Sequence, residues 1–110
     1  QNPRLRLIEP LGYLQFLKLM SESAMVLTDS GGMQEETTIL RVPCLTLRDN
    51  TERPITLVDN GGTGYLVGNN IDNIRANYYN IMNAKRNPIR PELWDGSASD
   101  RILNAILSYV

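Results

Sequence analysis

Ala24-Met25-Val26-Leu27-Thr28-Asp29-Ser30-Gly31-Gly32-Met33-Gln34-Glu35-Glu36 is the stretch on which the fold turns. An apolar run leads straight into a small polar turn with two glycines, and a helix-forming segment follows. That order presents backbone N–H groups at a helix N-terminus, a place to hold an anion such as a diphosphate. Gly31 and Gly32 let a ligand approach the main chain closely. Glu36 lies four residues beyond Gly32, shares its helix face, and leans back toward the N-terminus. A carboxylate repels a phosphate, so Glu36 is expected to accept hydrogen bonds from neighbouring hydroxyls, as a ribose offers. The stretch reads as a nucleotide clamp. On spacing alone, an ordinary helix start with a solvated Glu36 stands beside that reading.

Upstream, Tyr13, Phe16, Leu17 and Met20 recur at three and four spacing and predict an amphipathic helix over 13–20. Before it, Arg4-Leu5-Arg6-Leu7-Ile8 predicts a short strand ending at Pro10. Residues 24–28 predict a strand covered on both faces. Downstream, the helix runs through Leu40, and Cys44-Leu45-Thr46-Leu47 is the next strand. Residues 49–54 form a polar loop, and Pro54 suits the first turn of a helix to about Asp59. Asn60-Gly61-Gly62 stops it, and Tyr65-Leu66-Val67 is a last short strand. A helix from Ile71 to about Ala84 carries Ile74, Tyr78, Ile81 and Met82 on its apolar face. After a Pro-containing connection, Ser97 or Ser99 caps a final helix bearing Ile102, Leu103, Ile106 and Leu107.

Strands alternating with helices imply an α/β fold, a Rossmann-like parallel sheet. Ligands of such sheets bind beyond the carboxyl ends of the strands. The loops at 29–32 and 48–54 both follow strands, so Arg53 is expected to meet the anion site at one pocket. Asp29 is expected to shape its turn through an Asx-type hydrogen bond, and Glu52 to orient the second loop. Glu35 points about 100° from Glu36 on the helix and is read as surface. Trp94 is read as an anchor for the C-terminal segment.

With 110 residues the chain has room for one domain, 1–110. A net charge of −1 and scattered Lys and Arg argue against a nucleic-acid partner. No apolar run approaches the roughly 20 residues of a membrane helix, and no secretory signal is seen. Cys44, in an apolar run, reads as a buried structural thiol in a reducing, cytoplasmic compartment. Histidine is absent from the sequence, which removes the commonest general base and metal ligand. The chain opens on Gln1-Asn2-Pro3, almost directly in a strand-like segment, and looks like a piece of a longer protein.

Five segments together resemble the non-hydrolysing UDP-N-acetylglucosamine 2-epimerase family. They are Ile8 to Leu14, Thr28 to Glu36, Arg48 to Pro54, Leu66-Val67-Gly68 and Trp94-Asp95-Gly96, in the family's order. Leu11 stands where some members have Gln, and Ile55 where many have Glu. The resemblance implies a GT-B-like architecture of two Rossmann-like domains, this chain being part of the C-terminal, UDP-holding one. It implies that Ser30, Gly31 and Gly32 contact the diphosphate, Glu36 the ribose, Arg53 the nucleotide and Phe16 the uracil.

The activity implied is interconversion of UDP-N-acetylglucosamine and UDP-N-acetylmannosamine, serving polysaccharide biosynthesis. UDP is eliminated to leave a 2-acetamidoglucal and then adds back, with no cofactor and no metal. The proton-transfer residues fall outside this segment, so no catalytic residue is expected here. The implied partners are the UDP-sugar, an N-terminal Rossmann-like domain of the same full-length chain and, possible in principle, a second copy. A glycosyltransferase C-terminal domain and a non-catalytic UDP-sugar-binding module are the competing readings. The family's first two βα units precede this segment. In the order 3-2-1-4-5-6 the strand at 4–8 then loses its neighbours. It is expected to pack beside 24–28, or the exposed edge to pair with another chain.

Overall fold

The computed structural model describes residues 2–84 and 91–109. Helix α1 spans Tyr13–Ser21, strand β1 Val26–Thr28, helix α2 Gly31–Leu40 and strand β2 Cys44–Thr46. Two 3-10 turns, Pro54–Thr56 and Val58–Asn60, precede strand β3 at Gly64–Leu66. Helices α3, Ile71–Asn83, and α4, Ala98–Leu107, follow. The strands form one parallel sheet in the order β1-β2-β3, with Val26 opposite Cys44 and Cys44 opposite Gly64. This is the α/β, Rossmann-like parallel arrangement that the alternation of elements predicts. No helix among the described residues is long and apolar enough to cross a membrane.

Burial explains the layout. Strand β2 is central, and Cys44, Leu45 and Thr46 are fully buried. Leu45 packs with Val67 and Ile81, and Met25, Leu47, Tyr65 and Ile74 close around them. Of the four residues predicted on the α3 face, Ile74 and Ile81 therefore reach the core. Tyr78 and Met82 stay largely exposed. Helix α2 is unusual in burying polar residues, namely Gln34, Thr37 and Thr38. Thr37 and Thr38 return their hydroxyls to the carbonyls of Met33 and Gln34, at 2.8 Å each, so these two side chains are satisfied within the helix. The helix ends at Arg41 in the left-handed region, φ 61°, where the amides of Arg41 and Val42 close back onto Thr38 and Thr37.

Three expectations need correction. Residues 4–8 form no strand, and Leu7 is 91% exposed. The sheet is β1-β2-β3 and the segment does not pack beside β1. In a doubly wound sheet the strand at that position pairs with strands that no described residue supplies, so its backbone has no ladder to join. The radius of gyration, 16.4 Å, exceeds the about 13 Å of a compact chain of this size, in keeping with that outlying segment. Strand β1 is covered on one face only, with Leu27 49% exposed, because it forms the sheet's edge.

The helix expected from Pro54 to Asp59 is instead broken at Leu57, whose ψ of 149° is extended. Leu57 bridges to Gly64, and its carbonyl accepts the Gly62 amide at 2.9 Å, so pairing with β3 wins over helix continuation. Ile102, Leu103, Ile106 and Leu107 on α4 are all more than half exposed.

Candidate functional site

The site lies where β1 and β2 end, at the N-terminus of α2. Ser30 holds the N-cap position with φ −81° and ψ 129° but makes no side-chain cap. The turn is closed by Thr28, whose Oγ1 accepts the Ser30 amide at 3.0 Å, and not by Asp29 as the sequence reading had it. A hydroxyl two residues back makes the same local turn as an Asx side chain. The first turn of α2 holds no acidic residue. Helix geometry leaves the amides of Gly31, Gly32 and Met33 without intrahelical acceptors, and their partial positive charge is not offset locally.

The two glycines differ. A Cβ on Gly32 would meet nothing within 4 Å, so its main chain is open to an approaching group. A Cβ on Gly31 would overlap Nη1 of Arg53, so the absence of a side chain here leaves room for the guanidinium. The loop after β2 and the turn after β1 therefore meet, as the strand-end argument predicts.

Arg53 is held firmly from behind. Its amide donates to Thr51 Oγ1 at 3.0 Å, and its carbonyl accepts Thr56 Oγ1 at 2.7 Å. The Thr51 hydroxyl donates in turn to Oε1 of the fully buried Gln34 at 2.7 Å. Gln34 thus ties the loop to α2, a role that sequence reading did not find. The signal was present, because helix 31–40 has too few apolar residues to bury a face without polar ones. Glu52 does orient the loop, taking two hydrogen bonds from Arg48 at 2.9 and 3.1 Å. The Arg48 guanidinium holds its carboxyl down at about 2. Glu35 is no idle surface residue, since its Oε1 accepts from Arg53 Nε.

Glu36 is half-buried, and its Oε2 is buried with no hydrogen-bond partner among the described residues. A carboxylate oxygen in that state is costly unless a donor arrives. Tyr13 stands beside it; a hydrogen bond to Glu36 raises the phenol above its ordinary value. The sequence reading gave Tyr13 no part here. Phe16 is half-buried and lines a cleft of about 240 Å³ with Met20, Met25, Leu27 and Met33. Met33 belongs to the first turn of α2, so the aromatic ring and the open amides border the same helix end.

Cys44 is fully buried, and burial pushes its thiol up, which leaves it inert as a nucleophile. We expect iodoacetamide at pH 8 to leave Cys44 unmodified in the native protein and to alkylate it fully in guanidinium, as read by mass spectrometry. Rapid native alkylation would contradict the buried assignment.

A parallel three-stranded sheet with a helix starting at its carboxyl edge defines a Rossmann-like half-domain. The profile of the UDP-N-acetylglucosamine 2-epimerase family matches residues 1–107, and the chain belongs to that family. The UDP-N-acetylglucosamine 2-epimerase of Methanocaldococcus jannaschii is 46% identical over 108 residues, 98% of this chain and 28% of that protein. Its crystal structure in complex with UDP-GlcNAc and UDP superposes with a TM-score of 0.80 over 99% of this chain and 29% of that one. A putative UDP-N-acetylglucosamine 2-epimerase from Listeria monocytogenes is 38% identical, with a TM-score of 0.81 over 98% of this chain and 30% of that one. The chain therefore spans under a third of the length of these relatives and matches the C-terminal domain of their GT-B-like fold.

Proposed function

We propose that this chain is the UDP-holding part of an enzyme that interconverts UDP-N-acetylglucosamine and UDP-N-acetylmannosamine. The observation that carries the reading is the uncapped start of α2, with Arg53 seated over Gly31 and Gly32 open beside it. The diphosphate would lie against the amides of Gly31 and Gly32 and meet the Ser30 hydroxyl, within reach of Arg53, the Ser30 amide being held by Thr28. Glu36 would take the ribose hydroxyls, and Phe16 would flank the uracil.

In the reaction, a base removes the C2 proton while the C1–O bond breaks, and UDP leaves with the bonding pair. A 2-acetamidoglucal remains. A proton then returns to C2 from the other face, and the UDP oxygen rebuilds the bond at C1. The contribution of these residues is to stabilise charge developing on the departing diphosphate and to retain UDP until it re-adds. The carboxylates and histidine that move protons would come from the N-terminal Rossmann-like domain of the whole protein, working in the cytoplasm.

The test is to incubate the whole protein with UDP-N-acetylglucosamine in D2O. The expected product is UDP-N-acetylmannosamine carrying deuterium at C2. Sugar transfer to an acceptor, without an epimer, would instead identify a glycosyltransferase and sink the reading.

A further inference from the structure

Arg53 is ion-paired with Glu35, although its side chain is 36% exposed and that of Glu35 48% exposed. A pair so open to water adds little to stability, so its geometry matters more than its energy. Glu35 takes Nε, the inner donor of the guanidinium. The Nη groups make no hydrogen bond among the described residues, and Nη1 is ion-paired with Glu52 Oε2 at 3.6 Å, beyond hydrogen-bond reach. Glu52 is itself engaged by both Nη atoms of Arg48. One acid thus grips the back of the fork, another stands at ion-pair distance from Nη1 while its hydrogen bonds go to Arg48, and Nη1 rests over Gly31.

Resting on the nucleotide reading above, we infer that Glu35 is a positioning residue that aims the Nη edge of Arg53 at the diphosphate. An arginine is a planar five-donor fork on a flexible stem, and binding a phosphate through two Nη donors requires that stem to be ordered. Glu35 on helix α2, the Gly31 seat and the Thr51 anchor order it before the ligand arrives, which lowers the cost of binding. Glu35 touches no phosphate itself. Its effect passes entirely through Arg53.

Calorimetric titration of UDP and of uridine into the whole protein and its variants tests this. Glu35→Leu is expected to weaken UDP about tenfold and to leave uridine, which lacks phosphate, unchanged. Glu35→Gln keeps an acceptor for Nε and should recover most of the loss. In an Arg53→Ala background, Glu35→Leu should add nothing further, because the two act as one unit. An unchanged or tighter UDP complex in Glu35→Leu would overturn the inference, the latter by making Glu35 a competitor for Arg53. Equal weakening of UDP and uridine would reduce it to a structural role and overturn it too. Failure of the unaltered protein to bind UDP would remove the nucleotide reading first.

Discussion

Replacing Glu36 with Ala is expected to raise the Kd for UDP by about 10- to 100-fold, since a hydrogen bond to a charged group contributes about 1.5–3 kcal/mol. The same change should erase most of the preference for UDP over 2′-deoxy-UDP. The reason lies in the unliganded state, where Glu36 Oε2 is already out of water and has no partner among the described residues. A ribose hydroxyl therefore satisfies an acceptor without first stripping it of water, and the gain appears directly in affinity. Tyr13 serves as a second gauge, because its phenol is raised by the hydrogen bond to Glu36. Its titration should move back toward the ordinary value in Glu36→Ala. An unaltered ratio of UDP to 2′-deoxy-UDP affinity would show that this carboxylate does not read the sugar.

Gly62→Val is expected to cost about 2–3 kcal/mol, at the upper end of overpacking effects, and to lower Tm by about 10–20 °C. Gly62 is buried, and a Cβ there would overlap the backbone carbonyl of Thr56. A main-chain atom cannot rotate away as a side-chain tip can. The 3-10 unit would have to lift off β3, stretching the Gly62 amide to Leu57 carbonyl bond of 2.9 Å and the Leu57–Gly64 bridge. Thr56 also bonds the Arg53 carbonyl, so the shift would reach the site. Gly32→Ala is the control, since its Cβ meets open space and Ala at a helical position is favoured over Gly by roughly 0.5–1 kcal/mol. Differential scanning calorimetry separates the two. An unchanged Tm in Gly62→Val would show that the 3-10 unit has slack that its packing denies.

What was legible in the residues was what short-range chemistry controls. The three and four spacing from Tyr13 to Met20 predicts a helix over 13–20, and α1 spans Tyr13–Ser21. Ser30-Gly31-Gly32 after an apolar run predicts a helix start, and α2 begins at Gly31. Strand ends at the same sheet edge predict the meeting of Arg53 with that start, and the guanidinium sits over Gly31. The misses have one physical character. Residues 4–8 carry strand residues, but a strand is completed by its neighbour, and the alternation in that segment says nothing about whether one is supplied. Pro54 suits a helix start, yet pairing of Leu57 with Gly64 cuts the helix short.

By itself, then, the sequence determined the α/β class, the strand-turn-helix order around Ser30 and the family, because propensity and turn residues act within a few positions. Only the tertiary structure decided how the site is armed. Glu35 grips Arg53 from 18 residues away, and Gln34 anchors Thr51 from 17. Glu36 is brought beside Tyr13 on another helix. Such contacts depend on the separation and angle of packed elements, which no local pattern of side chains encodes.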